Sequence, residues 1–132
     1  MKGLGVLLNE LGGNSSTIEA LKKVLGEKII KCELKEDELL LHFKTTTLVL
    51  WDAGQSCCEH RYMSTDDDLK YFKNTIFKDI EIKPAPSIDD NGESHDVEFL
   101  EIHTGKGSFV MQNHNEHNGY YGGFSICAKL KN

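Results

Sequence analysis

Between residues 29 and 51 the chain offers three strand-length runs joined by two tight connections, and this most narrows what it can fold into. In residues 29–35 the apolar Ile30, Cys32 and Leu34 alternate with charged side chains, the period of a half-buried strand. The acidic turn Glu36-Asp37 leads into residues 39–43, and residues 47–51 follow, rich in strand formers. Three consecutive strands with short connections predict an antiparallel meander.

The rest of the chain extends that plan. Ser16-Thr17-Ile18-Glu19 has capping-box spacing, Ile18, Leu21, Val24 and Leu25 recur at helical spacing, and Gly26 is a natural stop, which predicts one short helix. Asp66, Asp67 and Asp68 can open a second short helix through Leu69 and Phe72. Residues 79–83 alternate again and end at Pro84, and residues 84–96 carry no core pattern and read as a loop. Residues 97–103, 108–113 and 123–129 read as three further strands, with a glycine turn at 104–107 and a polar bend through Asn118-Gly119. The expectation is a single α+β domain over residues 17–132, preceded by a glycine-interrupted lead over residues 1–16. Its sheet is mostly antiparallel and twisted, with six to seven strands and one or two short helices.

With 132 residues, 39% of them hydrophobic, the chain can form one core without disulfide staples. Its formal net charge is −6, and Arg61 is its one arginine. That balance argues against duplex DNA or long RNA, where phosphate neutralisation supplies most of the affinity. It leaves room for a small anionic ligand in one local pocket. No run approaches the length of a membrane span, and the lead reads as neither signal peptide nor lipidation site. Cys32, Cys57, Cys58 and Cys127 show no C-x-x-C spacing, so reduced thiols are the expectation.

Two stretches could carry chemistry. Residues 51–61 gather polar groups, Cys57, Cys58, His60 and Arg61. A thiolate beside His60 could be a nucleophile, but a buried cysteine usually acts as a small hydrophobe, and no base with an oxyanion site can be named. Residues 112–123 hold His114 and His117 around Glu116, which zinc could use, and which also fit a solvated polar turn. They also concentrate Gln112, Asn113, Asn115, Asn118, Gly119, Tyr120 and Tyr121. Amides can read a purine edge, tyrosines can stack on its face, and a glycine-rich bend can present backbone N–H groups to a phosphate. Tyr62, Phe99 and Phe109 are core aromatics by default.

In these stretches Ser56-Cys57-Cys58-Glu59, Asp67-Asp68-Leu69, residues 80–82, Lys106-Gly107 and Asn118-Gly119-Tyr120-Tyr121 stand in an order that resembles the Thoeris anti-defence sponges of phages. The match runs over roughly residues 27–129. The resemblance implies a protein that sequesters cyclic ADP-ribose isomers or cyclic oligonucleotides in the cytoplasm of the infected bacterium. It implies an α+β subunit that pairs, sometimes into a hexamer, with the signal pocket at the dimer interface. It puts Phe99 where the family has a pocket aromatic, whereas the next strand lacks the family's arginine.

The leading expectation is therefore a non-enzymatic sponge that needs no cofactor or metal. Its pocket is expected to use Arg61, Phe99, Gln112, Asn113, Asn115, Asn118, Gly119, Tyr120 and Tyr121. Two alternatives stay open. One is a nucleotide-processing enzyme using Cys57 or Cys58 with His60, or a metal held by His114 and His117. The other is an interaction protein that presents a sheet edge.

Overall fold

The computed structural model describes residues 15–53, 59–84, 88–90, 93–117, 124 and 126–131. Helix α1 (Ser15–Val24) is followed by β1 (Lys28–Ile29), β2 (Lys31–Lys35), β3 (Glu38–His42), β4 (Thr47–Asp52) and β5 (Glu59–Ser64). A 3-10 turn (Leu69–Tyr71) leads to β6 (Thr75–Pro84), β7 (Ile88–Asp90), β8 (Glu93–Thr104), β9 (Gly107–His117) and β10 (Ile126–Lys131).

The architecture is α+β and its strand pairs are antiparallel, as expected, but the strands outnumber the six to seven expected, because short β1 and β7 and also β5 are added, and they divide between two sheets instead of forming one. A four-stranded sheet runs β10-β4-β3-β2, and a six-stranded one runs β1-β6-β8-β9-β5 with β7 added to β8. The expected meander is the first sheet from Lys31 onward, closed by β10 from the far end of the chain, but its first run is broken at Ile30, and Ile29 in β1 pairs with Thr75 in the other sheet. Its β2–β3 connection places Glu36 and Asp37 at φ 52° and 61°, the left-handed pair of a two-residue hairpin. One core joins both sheets and the helix. Leu21, Leu39, Leu41, Leu48, Leu50, Phe77, Ile80, Leu100, Ile102 and Phe109 are fully buried in it. Burial also pushes the Cys32 thiol up to about 12, so it behaves as a small apolar residue whose Sγ lies 3.3 Å from the Phe72 carbonyl.

Three expectations change. The helix begins at Ser15, so Ser16 is inside its first turn; Thr17 instead accepts a hydrogen bond from the Ala128 N–H at 3.0 Å, tying α1 to the β10 edge. The Asp66–Asp68 run opens only a 3-10 turn, capped by Asp68, while the other two carboxylates are turned to β9. Asp68 accepts from Lys70 N–H, Asp67 from Val110 N–H and Asp66 from the Gln112 amide. Residues 84–96 are not all loop. Ile88–Asp90 pairs with the start of β8, which begins at Glu93. This extension lacks an apolar alternation, so periodicity had nothing to register.

Candidate functional site

β9 runs past its expected end at Asn113 to His117, and this places its polar half in the middle of the sheet, between β8 and β5. Successive side chains on a strand point to opposite faces. Phe109, Met111, Asn113, Asn115 and His117 are buried against the core, while Val110, Gln112, His114 and Glu116 are on the outer face. The same alternation sets Arg61 and Met63 inward on β5, and His60, Tyr62 and Ser64 outward.

The inner end of the sheet is a buried polar cluster. Arg61 reaches across to Asp52 on the other sheet, with Nη1 2.9 Å from both carboxylate oxygens and side-chain exposures of only 7% and 10%. His117 Nε2 lies 2.7 Å from Asp96 Oδ2. Asn113 donates its amide to the Glu98 carbonyl, and its Oδ1 is buried with no hydrogen-bond partner among the described residues. Asp37, at the β2–β3 turn, accepts from the Met63 N–H at 3.2 Å. Asp37, Asp52, Arg61, Tyr62, Met63 and Asn113 line a small cleft of about 20 Å³.

The outer face of the same strands carries rings. Tyr62 stacks on His114, with centroids 4.4 Å apart and planes 7° from parallel. His60 lies 4.9 Å from the Tyr62 ring and 3.6 Å from a Glu116 oxygen. His114 Nδ1 is 2.9 Å from His95 Nε2, and its Nε2 is 2.8 Å from Ser64 Oγ. Burial, and then the neighbouring His95, hold His114 below the usual imidazole range, with Glu116 opposing. Burial and the Glu116 charge push the Tyr62 phenol up, so it stays protonated at neutral pH.

A family described as a domain of unknown function, DUF7448, matches residues 22–127. The chain belongs to that family. No curated protein and no solved structure matches it. The family match spans both sheets, so the inner cluster and the outer rings are both parts of the DUF7448 domain.

The anticipated pocket residues fall into three groups. Arg61, Asn113 and Asn115 are brought together on the inner face. Phe99 and Gln112 are direct cross-strand partners on the outer face, so the sheet's thickness separates them from the first three. Asn118, Gly119, Tyr120 and Tyr121 lie outside the described residues, as do Cys57 and Cys58. His114 and His117 are corrected from turn residues to strand residues. Three positions apart on a strand, they face opposite sides and cannot share a metal ion. Among the described residues no group of three or more histidine, cysteine or acidic side chains could hold one. No helix is long and apolar enough to cross a membrane, again among the described residues.

The residues that sequence reasoning missed are Ser64 and His95, together with the outward turn of Tyr62. A signal existed, since the alternation of β9 continues beyond Asn113. It was masked because asparagine and histidine replace apolar residues on the buried side.

Proposed function

We propose that this protein captures a nucleotide-derived second messenger and holds it intact, so that the messenger's receptor never meets free ligand. This is the activity that the likeness to the Thoeris anti-defence sponges implies, and its setting is the cytoplasm of an infected bacterium. The observation that carries the reading is the inner cleft, where Arg61 from β5 and Asn113 from β9 face one space. A guanidinium offers charge-assisted donors for a phosphate, and the unpartnered Asn113 carbonyl is an acceptor suited to an amino group or hydroxyl. The Asp52 carboxylate already occupies the guanidinium, so an anion must compete with it for the same donors.

Size supports an assembly. Within one subunit the cleft has room for about 20 Å³, far below the roughly 300–1,000 Å³ of ordinary small-molecule sites. A second copy set against it would enlarge the site and bring a second Arg61. The proposed working form is therefore a homo-oligomer built on dimers. Capture of this kind needs no general base and no metal.

Calorimetry against cyclic ADP-ribose isomers and cyclic di- and trinucleotides tests the reading. Tight binding, with the ligand recovered chemically unchanged after the complex is heated, supports it; a converted product or no binding refutes it. Asn113→Ala, which removes the cleft's acceptor, with Asn118→Ala and Tyr121→Ala, locates the pocket. Loss of a stacking ring weakens binding by about 1–3 kcal/mol. Unchanged affinity in all three folded variants would move the pocket away from these residues. Light scattering at micromolar concentration should show a dimer or larger.

A further inference from the structure

The outer face of the six-stranded sheet carries an arrangement that capture does not use. Ser64 on β5, His114 on β9 and His95 on β8 lie on three adjacent strands and form one hydrogen-bonded chain. Ser64 Oγ is 2.8 Å from His114 Nε2, and His114 Nδ1 is 2.9 Å from His95 Nε2. We propose that Ser64 is an activated nucleophile toward carboxylic esters, with His114 as its base and His95 as the residue that positions that base.

The parts are those of a serine nucleophile with an oriented imidazole. With its proton on Nδ1, His114 donates to His95 Nε2 and turns the Nε2 lone pair toward the Ser64 hydroxyl. Tyr62, stacked on the imidazole at 4.4 Å, fixes the ring plane from the side. Gln112 Oε1 offers the hydroxyl a second acceptor, but at 3.3 Å it is the longer contact. All three relay residues are half-buried, which leaves Ser64 open to a ligand while the rings are held. Desolvation of His114 keeps it neutral, and therefore basic, at neutral pH. Glu116, His60 and Tyr62 are the titratable groups nearest His114 besides His95, with Glu116 opposing that shift, and His103, Glu81 and Glu101 lie farther along the same face.

A second serine–histidine contact on the same face serves as an internal reference. Ser108 Oγ lies 2.6 Å from His103 Nδ1, and His103 Nε2 is 3.3 Å from Glu81 and 3.8 Å from Glu101. There the far nitrogen makes no hydrogen bond and is held only by the charges of the two carboxylates, and Ser108 is exposed at the β8–β9 turn. At Ser64, by contrast, a hydrogen bond holds the far nitrogen of the base and the hydroxyl is half-buried.

The step balances as follows. Ser64 Oγ attacks the ester carbonyl and its proton passes to His114 Nε2. The carbon–oxygen bond to the alcohol breaks, and the leaving alkoxide takes that proton. Acyl-Ser64 and free alcohol result. Water, deprotonated by His114, then attacks the acyl group, releasing a carboxylic acid and returning the proton to Ser64 Oγ.

This chemistry is independent of messenger capture, because Ser64 faces away from the Arg61–Asn113 cleft. The full chain is treated with a fluorophosphonate probe, whose phosphorus accepts Oγ with loss of fluoride. The adduct is located by peptide mass spectrometry. The expected result is one adduct per chain at Ser64, formed by the folded protein and not by protein in urea. His114→Gln should slow it on the order of 10²-fold. His95→Gln should slow it about tenfold and shift the pH profile of labelling, which a purely structural role would leave in place. Hydrolysis of p-nitrophenyl acetate above background should vanish in Ser64→Ala, which keeps the fold and the messenger affinity. No adduct, an adduct at Ser108 instead, or equal labelling in His114→Gln with an unchanged melting temperature would overturn the proposal.

Discussion

The two faces of β9 carry similar residue types and put them to different ends. Inward, Asn113, Asn115 and His117 are sealed between the sheets with Arg61, Asp52 and Asp96. Outward, Gln112, His114 and Glu116 meet water alongside Tyr62, His60 and His95. A polar group taken from water must find its partners inside the protein, so the inner cluster is an interlocked set of hydrogen bonds and ion pairs. An outward polar group keeps water as an alternative, so its contacts cost less to break and remain open to a ligand. Histidine shows the difference best. His117, with its side chain 6% exposed, is locked to Asp96, whereas His114 keeps its ring in a half-open stack.

The sharpest test of that contrast is a pair of neighbours. Phe109, fully buried and 4.8 Å from the Phe72 ring, faces in; Val110 faces out. Phe109→Ala should cost about 4 kcal/mol in urea unfolding. Val110→Ala should stay within about 1 kcal/mol. Equal losses would mean that the faces are not distinct.

Next in size is the ion pair that joins the sheets. Arg61→Met removes the guanidinium from a buried carboxylate and should cost about 3 kcal/mol. Adding Asp52→Leu to that variant should recover most of the loss, because the carboxylate stranded by the first change is gone. If the double variant is no more stable than Arg61→Met and stays well below the parent, the loss is that of the pair's attraction and the inner cluster stabilises the fold directly.

Smaller effects belong to the outer face. Tyr62→Ala should lower stability by about 1 kcal/mol through loss of the ring stack, measured by the same denaturant titration. The smallest concerns pH. The folded pKa of His114 lies below its ordinary 6.5, so the unfolded chain takes up the proton first. Its contribution is complete above about 6.5 and declines as pH falls through the folded value. Between pH 7.5 and 5.5 the parent should lose stability that His114→Gln retains. Parallel pH curves for the two proteins would show that the His114 ring is solvated in the fold.

Much of this fold was legible in the chain. Cys32, Leu34 and the runs after them announced a meander, because a strand with one wet face writes a two-residue period into its sequence; Ile30, read into the same alternation, is exposed and falls between β1 and β2. The helix stop at Gly26 was legible for a similar reason, since its φ of 87° suits a residue without Cβ. The division into two sheets was not legible. It depends on β4 taking β10 as its neighbour while β5 takes β9, and nothing local to either strand fixes a partner so far along the chain. The site was split in the same way. Residues 112–117 were recognised as chemically dense, yet composition cannot say which side of a sheet a residue faces when both sides are polar. That was decided by register. Pairing Tyr62 with His114 and Val97 with His114 set Ser64, His95 and the rings on one side, and Arg61 and Asn113 on the other. A shift of one residue would have exchanged them, and the energy that forbids the shift comes from burying Phe109 and Met111 against the opposite sheet.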